Sequence, residues 1–289
     1  MSRVRIGAHL RAPGGLAKGG LPYAEEVGAE AVQVFTANPR QWAQPAGDPE
    51  QDAAFRDWCA DHGVPVYIHA PYLINLGSPS PQTRRLSVES LRHALDRGRA
   101  IGALGVVVHA GSAVGGERYE DAMAQVREDL LPLLDSQQGR RRAAGPRLLV
   151  EPTAGGGQAL AATVPALGAY LDALDRHPMV GVCLDVCHVF AAGHDVAARG
   201  GMKRTLDELV SLVGAGRLRL VHANDSRDAC GSRRDRHAGI GHGQIGETPF
   251  RALLRHPAVD GVPLIVETPG GAEGHARDIV TLKRLRAAG

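Results

Sequence analysis

The most constraining feature of this chain is a cadence. Short apolar, β-branched runs recur eight times: Val4 to Ala8, Ala31 to Phe35, Val64 to Ile68, Gly105 to Val108, Leu148 to Val150, Val180 to Leu184, Leu218 to Val221 and Pro263 to Val266. Between them lie helix-like stretches with glycine stop signals, such as Glu50 to His62 before Gly63, Thr83 to Ile101 before Gly102, and Glu117 to Ser136 ahead of Gly139. Apolar strands alternating with amphipathic helices imply a parallel sheet covered on both faces, and eight such units close a (β/α)8 TIM barrel. The length of 289 residues would also suit two average domains. Single barrels commonly reach about 250 residues, so residues 1–289 read as one α/β barrel domain. With 44% hydrophobic and 22% charged residues the chain has apolar surface enough for that core, which excludes disorder for most of its length.

The residues at the strand exits carry the chemistry. In order they are His9, then Thr36 to Asn38, then His69, His109, Glu151, Asp185, His222 and Glu267. Seven of eight exits are His, Asp or Glu, although those types fill only 44 of the 289 positions. In a barrel the C-terminal strand ends meet at one mouth, so residues far apart in sequence face each other there. Any one of them alone would read as a polar residue bonded to a loop backbone. Together they would repel one another unless protons or cations were shared among them. Imidazole and carboxylate without thiolate suit Zn²⁺, Mn²⁺ or Fe²⁺ better than Mg²⁺ or Ca²⁺. His188, three residues beyond Asp185 in LDVCH, and the Asp235 and His237 pair in DRH add ligands from loops at the same mouth. That supply supports two or three ions with bridging carboxylates, an arrangement suited to phosphoester hydrolysis.

Other features take plainer readings. Thirty-three Lys and Arg against 31 Asp and Glu give a net charge of +2, so any nucleic-acid surface must be local. Arg140, Arg141 and Arg142 form the densest basic run, but between a helix and strand five they belong to the N-terminal face, opposite the mouth. Arg40 follows strand two, on the mouth side. The cysteines Cys59, Cys183, Cys187 and Cys230 contain no C-x-x-C pair and form no disulfide framework; Cys183 and Cys187 read as small buried residues. The N-terminus runs straight into a strand and no stretch suits a bilayer span, so a cytoplasmic protein is expected. Gly155, Gly156 and Gly157 lack the Lys and Ser/Thr of a phosphate-binding loop and read as a loop beside the metals. His62, His93, His177 and His256 read as solvated or capping residues, and His194 and His242 as candidates for a phosphate contact.

Four stretches carry a family likeness: HAPYLINL from His69, GVCLDVCH ending at His188, HANDS at 222–226 with GSRRDRH ending at His237, and VETPG around Glu267. GAHL at His9 and FTANPRQW from Phe35 join them, so the likeness touches six of the eight strand exits, in order. On these residues the chain resembles the endonuclease IV family of zinc-dependent abasic-site endonucleases. The resemblance implies that His69, His109 and Glu151 hold one zinc, that Glu151 bridges to a second held by Asp185, His222 and Glu267, and that His188, Asp235 and His237 hold a third. Three Zn²⁺ are expected, two as the lower count, with Mn²⁺ or Fe²⁺ as substitutes.

The implied reaction is hydrolysis of the phosphodiester 5′ to an abasic site in duplex DNA, leaving a 3′-hydroxyl and a 5′-deoxyribose phosphate, with trimming of blocked 3′ ends. A water bridging the Glu151-linked pair, its pKa lowered toward about 7, would be the nucleophile. An abasic nucleotide must leave the stack to reach a recessed centre. Arg40, Tyr72 and Leu73 match positions that fill the vacated stack, with His9 and Asn38 as further DNA contacts and a monomer as the expected form. Val186, Arg227 and Ala70-Pro71 depart from the family pattern without removing a ligand; Val186 deletes a hydroxyl beside Asp185. The rival readings are a metal-dependent sugar isomerase or epimerase on the same barrel, and a catalytically silent binder of damaged DNA.

Overall fold

Eight parallel strands close on themselves in the computed structural model, which describes residues 4–116, 118–139 and 145–288. In chain order the strands are β1 (Ile6–His9), β2 (Val32–Val34), β3 (Val66–His69), β4 (Gly105–His109), β5 (Arg147–Glu151), β6 (Val180–Asp185), β7 (Leu218–His222), a short antiparallel hairpin of β8 (Asp225–Ser226) and β9 (His237–Ala238), and β10 (Leu264–Val266). The barrel omits the hairpin and closes where β10 pairs with β7 on one side and β1 on the other. It is a single-domain TIM barrel. Each of the eight apolar runs contains one barrel strand, with bounds shifted by a residue or two.

Side-chain alternation along the strands sorts the residues into two cores. Residues of one parity along their strands, Ala31, Tyr67, Val107, Leu149, Cys183, Leu220 and Ile265, form the barrel's interior layer. Their strand neighbours, such as Val32, Ile68, Val106, Leu148, Val150 and Val182, face outward and pack with Phe55, Leu91, Leu130, Leu167, Leu206 and Leu282 of the surrounding helices. Two residues further along every strand, the interior parity reaches the mouth. There it places Gln33, His69, His109, Glu151, Asp185, His222 and Glu267, with His9 above Gly7. Gly7 is required where it stands, because a Cβ there would lie 1.6 Å from the Ala31 carbonyl oxygen.

Three helices start where the sequence offers a cap followed by proline. Asp48 accepts from the backbone N–H of Glu50 and Gln51 ahead of helix Pro49–Asp61, Ser80 from Thr83 ahead of Pro81–Ala100, and Thr163 from Ala166 ahead of Val164–Ala173. A buried pair, the Arg97 guanidinium on both oxygens of Asp52, joins the first two of these helices. The helix Tyr119–Gly139 extends past the Ser136 end expected from sequence; Glu117 and Arg140 to Arg142 lie outside the described residues. No helix among the described residues is long and apolar enough to cross a membrane.

Candidate metal centre

The mouth holds a ring of imidazoles and carboxylates packed closely enough to share cations. Ligand atoms of His69, His109 and Glu151 lie within 4.8 Å of one another, as do those of Asp185, His222 and Glu267, and those of Asp185, His188 and His237. Asp235 closes the third group, with Oδ1 3.2 Å from His188 Nε2 and 3.1 Å from His237 Nε2. All nine residues singled out in the sequence therefore converge. Glu151 is central, with Oε1 3.0 Å from His222 Nδ1 and 3.2 Å from His188 Nδ1, and Oε2 3.3 Å from His69 Nε2. Asp185 is shared as well, its Oδ2 lying 3.5 Å from His237 Nε2 and 3.8 Å from His222 Nδ1.

Local structure explains the placement. Asp185 ends β6 and caps the next helix, Val186–Ala191, by accepting from the His188 N–H at 2.9 Å, so one residue sets two groups of the centre. His188 thus sits in a helix rather than in the expected loop. His237 is carried by the β8–β9 hairpin, paired with Ser226. The hairpin is braced by Asp225, whose buried carboxylate accepts from the backbone N–H groups of Gly241, Gly243, Ile245 and Gly246. Arg227 donates to the His237 carbonyl, so this departure from the family pattern keeps a structural task. Val186 is fully buried and contributes packing alone.

Electrostatics show why such a cluster suits cations. Burial disfavours charge on every member, yet Asp185, Asp235 and Glu151 carry the His188 imidazole well above its usual range. His222 is raised likewise against the same burial penalty, with Glu267 and Glu151 facing it, and His237 reaches about 9. Glu151, Asp235 and Glu267 are held well below the carboxylate range by those imidazoles, despite their burial. Where the carboxylates are less direct, burial wins, and His109 falls to about 4. Protons are thus held in common by groups that would otherwise offer lone pairs. Glu151 Oε2, His188 Nε2 and His237 Nε2 are buried beside oppositely charged groups without making a well-directed hydrogen bond to them, which fits atoms aimed at a shared divalent ion. Cys183 and Cys187 lie within the same reach, but burial pushes both thiols up to about 12, so nitrogen and oxygen form the donor set at neutral pH.

The loops around the centre present Tyr72 and Leu73, exposed at 48% and 36%. The Tyr72 N–H donates to the Pro39 carbonyl, which ties this loop to the one bearing Asn38 and the exposed Arg40. A cleft of about 390 Å³ opens beside the cluster, lined by Tyr72, His109, Thr153, His188, Arg233 and Asp235. Gly156 also lines it, which places the glycine run beside the centre, as a loop.

Several readings change. Strand two contributes Gln33, not Thr36 to Asn38: the fully buried amide lies 2.6 Å from Glu267 and 2.9 Å from His222. Its signal was the one polar residue inside an apolar strand, at the inward parity. Asn224, inside the HANDS stretch, was also missed; it donates to Asp185 and accepts from the Glu267 N–H. His177 is buried rather than solvated, bonding Asp135 and the Met179 N–H. His194 is not free for a phosphate, since its Nε2 accepts from the Val164 N–H and its Nδ1 faces Glu208 at 3.8 Å. His62 and His256 do bond locally, to the Trp58 carbonyl and the Ala258 N–H.

The xylose isomerase-like TIM barrel family matches residues 21–285. A protein of Streptomyces coelicolor named probable endonuclease 4 is 59% identical over 286 residues, covering 99% of this chain and 96% of its own length. A Chloroflexus aurantiacus protein of the same name is 38% identical over 285 residues, covering 98% of this chain and 97% of its own. This chain belongs to the endonuclease IV family. The crystal structure of endonuclease IV from Thermus thermophilus superposes with a TM-score of 0.83 at 34% identity, covering 99% of this chain and 100% of that one. A D-tagatose 3-epimerase-like protein also superposes, with a TM-score of 0.73 over 99% of this chain and 98% of its own, but at 17% identity that likeness shows the fold alone.

Proposed function

We propose that this endonuclease IV family member is a DNA-repair enzyme that hydrolyses the phosphodiester 5′ to an abasic site in duplex DNA and trims blocked 3′ ends. The observation that carries the reading is the nine-residue donor cluster, in which Glu151, His188 and His237 each bury an atom that makes no hydrogen bond, beneath a rim of exposed Arg40, Tyr72 and Leu73. A sugar isomerase needs one or two ions and has no use for the third group supplied by the helix after β6 and the β8–β9 hairpin.

In this reading His69, His109 and Glu151 would hold one ion, Glu151, Asp185, His222 and Glu267 a second, and His188, Asp235 and His237 a third, with Asp185 close to that third group. Zinc is the ion that this donor set favours, and when bound it supplies Lewis acidity toward phosphoryl oxygens and water. The chain's own residues do the rest. Arg40, Tyr72 and Leu73 fill the vacated stack, and a baseless nucleotide is cheaper to extrude than a paired one. The extruded sugar phosphate occupies the cleft between Tyr72 and Arg233. His9, whose Nε2 has no partner, and Asn38 face the DNA from the β1 and β2 side. Glu151 and Asp185 hold neighbouring groups in register and keep the imidazoles from drifting.

The test is end-labelled duplex DNA carrying one abasic analogue, incubated with zinc-loaded protein. Cleavage immediately 5′ to the lesion, with an extendable 3′-hydroxyl, is expected. Intact duplex, together with epimerisation of a ketose by the same preparation, would replace this reading with the isomerase one.

A further inference from the structure

The imidazoles of the centre are oriented in two different ways. His69, His188 and His237 each direct Nδ1 at a main-chain carbonyl, those of Ala70 at 2.7 Å, Pro152 at 3.0 Å and Glu267 at 3.3 Å. A carbonyl only accepts, so each Nδ1 carries the hydrogen and Nε2 offers its lone pair to the cluster. His222 is reversed. Its Nδ1 faces the carboxylates, 3.0 Å from Glu151 Oε1 and 3.3 Å from Glu267 Oε2, while Nε2 lies 2.9 Å from Gln33 Oε1.

The orientation of the Gln33 amide follows from its neighbours. Its nitrogen is 2.6 Å from Glu267 Oε1 and 2.9 Å from His9 Nδ1. An ionised carboxylate cannot donate, so the –NH2 end must face Glu267. The carbonyl end is then left for His222 and can only accept, which places the hydrogen on His222 Nε2. We propose that Gln33 is a positioning residue that commits His222 to bind metal through Nδ1 and holds Glu267 with Oε2 toward the centre. The assignment rests on the metal centre proposed above.

Burial supports a dedicated role. Gln33 is fully buried in a strand whose other residues are apolar, where an amide is costly unless satisfied. Both ends of its amide are engaged, the nitrogen with His9 and Glu267 and the oxygen with His222. His69, His188 and His237 take their direction from backbone that no substitution removes. His222 depends on a side chain, so the Asp185–His222–Glu267 group can be loosened selectively.

The direct test is long-range ¹H–¹⁵N correlation on zinc-loaded protein carrying ¹⁵N-histidine, with competitive chelator titration of wild type, Gln33→Leu and Gln33→Glu. In wild type, His222 should show metal at Nδ1 and hydrogen at Nε2. Gln33→Leu should weaken one metal equivalent by about 10- to 100-fold, the range typical for groups that orient a ligand, while the other equivalents stay bound. Gln33→Glu keeps the acceptor, so it should preserve the His222 tautomer while weakening the same equivalent through repulsion of Glu267; it also carries the test should the leucine variant not fold. Metal on His222 Nε2 in wild type, or wild-type affinity for every equivalent in Gln33→Leu, would overturn the assignment and leave the metal centre standing. Wild-type protein that takes up no divalent ion would overturn both.

Discussion

The two ends of the barrel are built from the same eight strands and could hardly differ more. At the interior layer Tyr67, Val107, Leu149, Cys183, Leu220 and Ile265 make a dry apolar plug. Two residues on, the same parity delivers His69, His109, Glu151, Asp185, His222 and Glu267. Each end also has a hollow. Near the N-terminal ends of the strands a cavity of about 910 Å³ is lined largely by apolar residues such as Met179, Leu209, Val213, Leu218 and Val262, whereas the cleft beside the metal groups measures only about 390 Å³. Size alone would select the wrong end. One end secures stability through burial, the other concentrates groups that burial makes expensive, and a step of two residues separates them.

The comparison breaks most readily on β5, where Leu149 and Glu151 are successive inward residues. Glu151→Gln keeps the volume but weakens the shared ligand, and should lower kcat/KM on abasic duplex by roughly 10³-fold or more with DNA affinity largely kept. Leu149→Ala should do the reverse, costing about 2–5 kcal/mol in denaturant unfolding while kcat/KM in the surviving fold stays near wild type. Matched effects from the two variants would dissolve the distinction between the ends.

A smaller effect concerns pH. His237, raised to about 9, with His188 and His222 raised as well, must release protons before binding a cation. Divalent affinity should therefore climb as pH rises toward 9 and fall in acid, by about tenfold per pH unit for each proton displaced. In chelated protein the sign reverses. A raised imidazole pKa stabilises the fold fully below its ordinary value of 6.5 and ceases to do so as pH rises through about 9, so thermal unfolding of chelated protein should move to lower temperature across that interval. The plug, without titrating groups in this range, should contribute no such dependence.

The smallest contrast sets one arginine against three. Arg40 is exposed on the mouth side beside Tyr72, whereas Arg140 to Arg142, which lie outside the described residues, stand in the sequence between a helix and β5. Neutralising all three should change abasic-site cleavage by less than about threefold, as expected of weak long-range charge effects. Arg40→Ala should cost more, measured as kcat/KM on the same duplex at one salt concentration. A larger loss from the triple variant would move the DNA-binding face.

The barrel was legible because period-two and period-3.6 patterns alternate eight times, and most of the candidate metal ligands because His, Asp and Glu occupy strand exits. Gln33 was not, because the reading looked beyond the apolar run rather than inside it, and an isolated amide resembles an ordinary core polar residue until its partners are known. The double duty of Asp185 was hidden too, since both of its tasks depend on the helix that begins immediately after it. His177 and His194 looked exposed from their place between elements, yet tertiary packing gives each a buried partner. Local sequence cannot report a partner that arrives from another strand.

The central claim is that a multinuclear zinc centre at the mouth cleaves DNA 5′ to abasic sites. The most direct measurement is elemental analysis of purified protein alongside its cleavage of a duplex bearing one abasic analogue, before chelation, after prolonged chelation and after zinc is restored. The account predicts two to three zinc ions per chain, loss of cleavage as they are removed, and recovery as they return. Full cleavage by protein shown to hold no transition metal would contradict it.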